Sequence, residues 1–451
     1  MTATAVPTRA PRTRPSATPR WYADVGGSIA ALSLLVVVAL WVSDGGVRQV
    51  VTLSAWGRLT GLLASDLMLL QVLLMARIPL VERAFGQDRL ARWHRWAGFG
   101  SFWLMVVHIV TITGLLTELW DMIWNYPGML LAAAGTLALV MVVVTSIRAA
   151  RRKLRYESWH LLHLYAYLGV GLALPHQLWT GTDFTGSTAA TVYWWTLYGV
   201  SAGAVLAYRV GLPAWRNWRH RLVVTRVVSE GPGLTSVYLR GERLGELPVR
   251  AGQFFQWRFL DGAGWSRANP YSLSATPHGD QLRITVKNLG DGSSRVAGLR
   301  PGTRVLFEGP YGKLTGETYT GGPVVMVACG IGVTPLLSLL GELPYRPGEA
   351  TLIYRARGEA ELAFRSELEW FAQHRGVRVV TLLGPRADRP GWLPAGLAGH
   401  RDAETLRQLV PRIADSHLYV CGPRAWAASV RGAALEAGVA ADRLHTELFS
   451  W

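Results

Sequence analysis

Six apolar runs fill the first half of the chain, at about 24–43, 57–76, 97–116, 127–147, 158–178 and 190–210. Each reaches the roughly 20 residues that an α-helix needs to cross a bilayer. In lipid only helices and closed barrels satisfy every backbone polar group. These runs are continuous rather than alternating, so a bundle of six membrane helices is expected. From about residue 221 the texture becomes that of a soluble α/β protein, and a length of 451 residues allows two or three domains.

A formal net charge of +16 raises the question of a nucleic-acid partner, which the placement of the charge answers. Arg9, Arg12, Arg14 and Arg20 precede the first run, and Arg77, Arg83, Arg89, Arg92 and Arg95 surround the second connection. Arg148, Arg151, Arg152, Lys153 and Arg155 fill the fourth connection, and Arg209, Arg216, Arg219 and Arg221 follow the sixth run. The remaining connections carry few basic residues. Such alternation is the positive-inside pattern of a multi-pass plasma-membrane protein, with both termini and the soluble half in the cytoplasm. No nucleic-acid partner is implied. The first run is long for a signal peptide and lacks a small-residue cleavage site, so it counts as a span. Cys329 and Cys421 are the only cysteines, which implies neither a disulfide framework nor a cysteine metal site. Scarce lysine beside abundant Arg, Ala and Gly is the bias of a GC-rich bacterial genome. Residues 1–20, rich in Pro, Arg and Thr, read as a disordered tail.

Two of the runs carry histidines, which lipid cannot hydrogen-bond and which are usually functional inside a membrane. WHRWAGFGSFWLMVVH (93–108) places His94 and His108 fourteen residues apart. YESWHLLHLYAYLGVGLALPHQLW holds His160, His163 and His176, the last two thirteen apart. At 1.5 Å per residue these separations are about 21 and 19.5 Å. The third and fifth runs travel in the same direction, so His94 and His163 share one depth, and His108 and His176 another. Two imidazole pairs at two depths are what two stacked bis-histidine haems require. Ligation of neutral imidazole also removes the cost of an unpaired polar ring in lipid. Fourteen residues return to within about 40° of the starting face, whereas thirteen miss by about 140°. A kink at Pro175 is therefore expected to re-phase the helix before His176. His160 stands sixteen residues from His176, too far to match the other pair, and is the spare. Arg92, Arg95, Arg148 and Arg155 read first as topology signals, with haem propionates as alternative partners.

Residues 221–318 alternate in strand fashion: RLVVTRVV, TSVYLR, QFFQWRFL, PYSLSAT, LRITVKNL and RVLFEGP, divided by Gly, Pro and Asp turns. Six short strands without a helix-length gap predict an antiparallel β-barrel. RANPYSLSATP (267–277) can lay Tyr271 on a flat ring while Ser272 and Ser274 hydrogen-bond its polar edge. VKNLGDGSSRV (286–296) supplies Lys287, then Gly290, Gly292, Ser293 and Ser294, a backbone able to wrap phosphate at the start of a short helix. In this order the two segments point to a flavin nucleotide. Residues 322–451 change period, with strands GPVVMVACG, ATLIYRAR, VRVVTLLG and LYVCGP alternating with helical runs. That alternation predicts a parallel sheet with ligand at the strand C-termini, and CGIGVTP (329–335) is its expected phosphate-binding turn. The second of these strands ends at Tyr354-Arg355-Ala356-Arg357. An arginine there can pair with a 2′-phosphate, which favours NADPH and leaves NADH as the alternative.

The two histidine pairs, PYSLS, GIGVTP, CGP and a terminal aromatic, in this order, make the chain from about residue 24 to 451 resemble the ferric reductase and NADPH oxidase family. The resemblance implies a multi-domain fold: the tail over 1–20, then a six-helix transmembrane haem domain over 21–212. An antiparallel β-barrel FAD domain over 219–320 and an α/β parallel-sheet NAD(P) domain over 321–451, of ferredoxin–NADP reductase type, would follow. It implies that His94 with His163 ligates an inner haem b and His108 with His176 an outer one. Asn269, Pro270, Tyr271, Ser272, Leu273 and Ser274 would hold the isoalloxazine, with Ser274 also in a catalytic role. Lys287, Gly290, Ser293 and Ser294 would take the FAD phosphates. Gly330, Gly332, Thr334 and Pro335, with Arg355 and Arg357, would take the nicotinamide nucleotide. Cys421 and Gly422 of CGP would lie near the hydride-transfer site, with Glu447 close by. Relatives end in an aromatic that covers the flavin until nicotinamide displaces it, and HTELFSW offers both Phe449 and Trp451. Relatives usually place Arg or His two residues before the tyrosine of PYSLS; here stands Asn269, with Arg267 as the available substitute.

The activity so implied runs from NAD(P)H through FAD and two haems to a small extracytoplasmic acceptor, dioxygen or a chelated metal ion. Flavin is needed because hydride carries two electrons and haem iron takes one. Two haems are needed because about 30 Å of hydrocarbon is too wide for a single jump. The main rival is a membrane-anchored flavin reductase serving a cytoplasmic partner, which has no use for depth-matched histidines. A non-redox channel or receptor conflicts with the flavin and nicotinamide signatures.

Overall fold

The computed structural model describes residues 21–151, 153–154, 156–262, 264–388 and 390–449. The expected tail, Arg152, Arg155 and Trp451 lie outside the described residues. The chain divides at Leu212–Pro213 into two compact units.

In the first unit six long helices follow the six apolar runs: α1 (Trp21–Ser43), α2 (Leu53–Met75), α3 (Gln87–Ile112), α4 (Met129–Ser146), α5 (Tyr156–Trp179) and α6 (Thr188–Val205). Hydroxyl caps set two of the starts: Thr52 Oγ1 accepts from the Ala55 N–H at 3.3 Å, and Ser187 Oγ from the Ala190 N–H at 3.1 Å. α3 begins well before the run read from sequence, because QDRLARWHRWAG is amphipathic and helical without being apolar. Past its end, Gly114, Leu115 and Leu116 all take positive φ. α5 continues through Pro175 to Trp179.

Four of these helices, α1 to α4, are long and apolar enough to cross a membrane. α5 has the length, but its three histidines, Glu157 and Gln177 dilute its apolar character. α6 has 18 residues, among them threonines and tyrosines. Where lipid supplies no hydrophobic drive, small residues let helices approach. A Cβ on Gly135 of α4 would lie 2.6 Å from the Gly169 carbonyl of α5, and one on Gly128 2.7 Å from the His176 nitrogen. Val37, Trp41, Leu62, Leu69 and Trp194 form a buried core among α1, α2 and α6, where Phe184 stacks on Trp194 at 4.2 Å. Arg58, near the start of α2, bonds Asp183 (Nε to Oδ2, 2.9 Å) and Asp44, tying together the connections that follow α1 and α5.

The second unit opens with a helix, Leu212–His220, whose Asn217 exchanges two 2.8 Å hydrogen bonds with the Phe307 backbone. Six strands follow: β1 (Val223–Gly231), β2 (Leu234–Arg240), β3 (Phe254–Phe259), β4 (Asn269–Ser272), β5 (Gln281–Lys287) and β6 (Val305–Tyr311). Where one continuous barrel is expected, the ladders form two three-stranded antiparallel sheets, β1-β2-β5 and β4-β3-β6. Single bridges, Leu273 to Ile284 and Val223 to Arg304, join their edges. Leu239, Phe255, Trp257, Ile284 and Phe307 fill the space between them.

The remaining strands, β7 (Val324–Cys329), β8 (Ala350–Ala356), β9 (Arg378–Leu383), β10 (His417–Pro423) and β11 (Leu444–Phe449), form one parallel sheet in the order β11-β10-β7-β8-β9. α7 (Val333–Glu342) and α8 (Arg365–Arg375) cover one face, and α9 (Asp402–Leu409) and α10 (Arg424–Glu436) the other. Cover on both faces is why β7, β8 and β10 read as unbroken apolar runs. α7 is tied to the antiparallel half: Ser338 Oγ donates to the Ala275 carbonyl at 2.8 Å, and Thr276 Oγ1 to the Ser338 carbonyl at 2.9 Å.

The close approach of α4 to α5 predicts opposite effects for two glycine substitutions. Gly135→Ala overpacks the contact and is expected to cost about 1–3 kcal/mol. Gly171→Ala, whose methyl would meet nothing within 4 Å, gains up to about 1 kcal/mol of helix propensity. In thermal unfolding of the detergent-solubilised chain, Tm should fall for the first and hold or rise for the second.

Candidate functional site

Strand order in the parallel sheet reverses at β7, whose successor β8 lies on one side and β10 on the other. Open α/β sheets take ligands in the crevice at such a switch point, beyond the strand C-termini. Both cysteines stand there, Cys329 ending β7 and Cys421 in β10. The glycines around them serve close approach. A Cβ on Gly332 would lie 2.3 Å from the Cys421 carbonyl, and one on Gly422 2.8 Å from the Trp426 ring and 2.9 Å from the Cys329 Cβ. Gly330, at φ 54°, turns the chain in the left-handed region from β7 into α7. Thr334 Oγ1 donates to the Ile331 carbonyl at 2.9 Å, closing that turn, and Pro335 follows in the first turn of α7. Cys421 is fully buried and pairs in register with Glu447 of β11. Burial, and next the Glu447 charge, push its thiol well above the ordinary range, so it is a neutral thiol rather than a thiolate. Burial pushes the Cys329 thiol up as well. Phe449 ends β11 opposite Pro423; its side chain, like Trp451, lies outside the described residues.

The two arginines at the end of β8 part company. Arg355 is buried, and its guanidinium donates to the carbonyls of Ala356, Pro385 (2.9 Å) and Leu382 (3.4 Å), closing the ends of β8 and β9. Those bonds, made inside the protein, leave it poorly placed for the 2′-phosphate expected of it. Arg357 is exposed just past the C-terminal end of β8, with its backbone N–H on Glu361 at 3.3 Å.

In β4, Asn269, Pro270, Tyr271 and Ser272 lie opposite Trp257, Gln256, Phe255 and Phe254 of β3. Trp257 Nε1 donates to the Tyr271 carbonyl at 3.0 Å, and burial pushes the Tyr271 hydroxyl up to about 12. The two serines of the motif differ. Ser274 Oγ accepts from Thr285 Oγ1 at 2.8 Å and from Arg283 Nε at 3.1 Å, and Thr285 is bonded in turn to Ser236. Arg283 continues to Glu367 of α8 at 2.9 and 3.1 Å. Ser272 Oγ is buried with no hydrogen-bond partner among the described residues. The hydroxyl left over for a ligand is therefore that of Ser272, while Ser274 belongs to a chain of side chains joining the two halves of this unit. Leu273, between them, is wholly buried.

Lys287 at the end of β5 sits 3.6 Å from Glu361. Beyond it Gly290, at φ 103°, enters the one-turn helix Asp291–Ser294. Ser293 Oγ closes that turn, accepting from the Leu289 N–H and donating to the Gly290 carbonyl, both at 2.8 Å. Ser294 follows in the same turn. Gly292 brings it against β4, since a Cβ there would lie 2.9 Å from Asn269 Oδ1. Asn269, Gly292, Arg267 and Arg295 border one pocket with Phe259 and Asp261. Asp261 is bonded to Arg295 at 2.5 Å, so one carboxylate faces two guanidiniums and a positive charge is left over. An orphaned serine hydroxyl beside a ring-sized aromatic, next to a cationic pocket, fits a flavin nucleotide. Sequence reasoning passed over Arg283 and Thr285, because alternate polar residues on a strand normally face water, and over Arg295, which lies in the turn after Ser294.

In the first unit the histidines are held by helix backbone. His94 Nδ1–H donates to the Gln71 carbonyl at 3.1 Å, and His108 Nδ1–H to the Gly57 carbonyl at 2.8 Å. Gly57 and Gln71 are themselves fourteen residues apart on α2, which runs antiparallel to α3. Gly61 opens the groove for the His108 ring: a Cβ there would lie 2.5 Å from its Nδ1. A carbonyl only accepts, so each Nδ1 carries the proton and each Nε2 keeps a lone pair, the arrangement of a metal-ligating histidine. His163 of α5 faces His94 with ring centres 5.9 Å apart, and stacks on Trp159 at 5.0 Å. Metal–imidazole bonds of about 2 Å, with ring centres about 1 Å further out, put the centres of two axial rings about 6 Å apart. His163 thus sets its ring against that of His94 at a spacing of this order. His176 lies near enough to His108 for the two to interact electrostatically, and among the described residues its buried Nδ1 makes no hydrogen bond of ordinary geometry. The residues fit two bis-histidine haems, more fully at the first pair than at the second.

Residues 60–174 match the family described as ferric reductase like transmembrane component, and residues 326–432 the oxidoreductase NAD-binding domain. The first match takes in His94, His108 and His163 and stops short of His176; the second takes in GIGVTP, both arginines and CGP. The chain therefore joins a ferric reductase-like transmembrane domain to an oxidoreductase NAD-binding domain. It is a membrane protein and an NAD(P)H-dependent oxidoreductase. It is similar to the flavohemoprotein of Chromobacterium violaceum, 29% identical over 278 residues, or 57% of this chain and 68% of that protein. The flavohemoprotein of Rhodopirellula baltica is 31% identical over 264 residues, 55% of this chain and 64% of that one. The matched stretch spans about two thirds of these relatives. Among solved structures, the flavohem-like FAD/NAD binding domain of the nitric oxide dioxygenase from Vibrio cholerae is 24% identical. That match covers 51% of this chain and 98% of that one, with a TM-score of 0.41.

The two serines of the motif separate by experiment. Ser274→Ala strips an acceptor from the buried Thr285 and Arg283 and is expected to cost about 1–3 kcal/mol, read as a lower Tm. Ser272→Ala should leave Tm unchanged and slow NAD(P)H oxidation by about tenfold or more, a loss of at least about 1.4 kcal/mol in the transition state.

Proposed function

We propose that this protein carries electrons from cytoplasmic NADPH, by way of FAD and two b haems, to a small acceptor across the plasma membrane. Dioxygen and a ferric chelate are the acceptors that this reading admits. The observation that carries it is the His94–His163 pair: two rings 5.9 Å apart on neighbouring helices, with the His94 Nδ1–H fixed by a carbonyl. A mere anchor needs no such arrangement. In this reading all six long helices span the bilayer, with α5 and α6 accepted for their length and for the histidines that α5 contributes. The arginine-rich connections face the cytoplasm.

Bound FAD would turn a two-electron hydride into single electrons, and bound haem would carry those electrons through the bilayer. The protein's own part is placement. The two antiparallel sheets, closed by their edge bridges into a barrel, present Tyr271 and Ser272 to the flavin ring. Arg267, Arg295 and the Gly290–Ser294 turn hold its phosphates, with Lys287 nearby. Gly332 and Gly422 keep the crevice at β7 and β10 open to the nicotinamide. Cys421, as a neutral thiol, and Glu447 form its floor. His94 and His108 present Nε2 lone pairs, with His163 and His176 as their partners at the two depths.

Visible spectroscopy tests this directly. The purified chain should show low-spin bis-histidine haem, two per chain, reduced by NADPH only when FAD is present. His163→Ala should halve the haem content; a spectrum like that of the wild type would remove the inner pair from the account. Discrimination between nucleotides falls to Arg357. Arg357→Ala should raise KM for NADPH by about tenfold, the loss of one exposed phosphate contact of roughly 1.4 kcal/mol, and leave NADH oxidation unchanged.

A further inference from the structure

α2 carries a single acid in its interior, Asp66, between the Gly57 and Gln71 carbonyls that hold His108 and His94. It stands five residues from Gln71 and nine from Gly57, about 7.5 and 13.5 Å along the helix. Asp66 is 0% exposed, and among the described residues no cation pairs with it. The nearest charged residue on its own helix, Arg58, is taken by Asp44 and Asp183. A buried carboxylate without a cation is costly, and an intramembrane acid is usually functional.

Its neighbours are two hydroxyls from two other helices. Ser33 of α1 donates to Asp66 Oδ1 at 2.9 Å, and Tyr193 of α6 reaches the same oxygen at 2.5 Å. The two hydroxyls lie 2.8 Å apart, and Tyr193 also faces the Ser33 carbonyl at 3.2 Å. Asp66 Oδ2 has no partner among the described residues. The trio can therefore serve two protonation states. With Asp66 ionised, both hydroxyls donate to Oδ1. With Asp66 protonated, its own O–H donates to the Tyr193 oxygen, and Tyr193 turns its proton to the Ser33 carbonyl. Tyr193 keeps an acceptor in each state, an arrangement that a purely structural tie would not need.

We infer that Asp66 is a proton-binding site of the membrane unit, taking up one proton as an electron arrives at the histidine pairs and releasing it as the electron leaves. This rests on the electron path proposed above. One electron, supplied by NAD(P)H through the flavin, and one proton, taken from hydronium in the aqueous phase with water left behind, enter together. The carboxylate becomes a carboxylic acid, no other bond of the protein changes, and the low-dielectric interior gains no net charge.

The test uses the full-length, haem-loaded chain in lipid nanodiscs. Haem content is measured first, then the haem midpoint potential as a function of pH, then the reduced-minus-oxidised infrared spectrum in the carboxyl region. The wild type should show a potential that falls as pH rises and a protonated-carboxyl band that appears on reduction. Asp66→Asn, whose amide keeps contact with Ser33 and Tyr193, should lose both. Asp66→Glu should keep the pH dependence and shift the band, which identifies the group even if the Asn variant fails to fold. A haem-loaded wild type with a pH-independent potential, an Asn variant that keeps the dependence, or an unshifted band in the Glu variant overturns the inference alone. A chain that carries no haem overturns it together with the electron path.

Discussion

Two hydrogen bonds between α3 and α2 govern the membrane unit. The Nδ1–H groups of His94 and His108 donate to the carbonyls of Gln71 and Gly57, and both pairs are fourteen residues apart on antiparallel helices. Each bond meets the polar demand of a ring that lipid cannot meet, fixes its tautomer and aims the other nitrogen. It also locks the register of α3 against α2, since a slip of one residue would break both bonds at once. The glycine at 61 follows from this need, because a side chain there would occupy the space of the His108 ring, while Gly57 makes room for Thr111 and Ile112. α4 and α5 then have to bring His163 to within 5.9 Å of His94, which the Gly135–Gly169 contact allows.

The nicotinamide unit shows the same economy with different chemistry. A parallel sheet covered on both faces leaves its backbone open to ligand only at the strand ends, and at the switch point β7 and β10 deliver GIGVTP and CGP side by side. Packing between the two halves of the unit draws in residues that belong to neither motif. Arg283 crosses from β5 to Glu367 on α8 and on the way engages Ser274. Burying that guanidinium is tolerable because a carboxylate, a serine and aromatic faces surround it, so the serine at the end of the motif helps to fix the junction.

Much of this was legible from residue types. Runs of about 20 apolar residues, the histidine spacings and the glycine-rich turns each report a local requirement that no distant part of the chain alters. At Pro175 the helix continues through the proline, and Gly128 and Gly135 bring α4 close to α5. The start of α3 was missed because an amphipathic first half does not register as a span. Arg355 looked like a phosphate ligand because the sequence cannot show that carbonyls of β9 and the loop beyond it claim its guanidinium.

By itself, then, the sequence determined the kind of protein: periodicity and composition dictate membrane helices followed by antiparallel and then parallel sheets. Only the tertiary structure separated like residues by availability: Ser274 and Arg355 are bonded within the protein, whereas Ser272 Oγ has no partner among the described residues and Arg357 is exposed. The physical reason is common to both pairs. A side chain's chemistry is written in its own identity, but its availability depends on whether a distant donor, acceptor or ring has already occupied it. Asp66 is the same lesson inverted, an acid in plain view in the apolar text of α2, given meaning only by hydroxyls 33 residues before it and 127 after it.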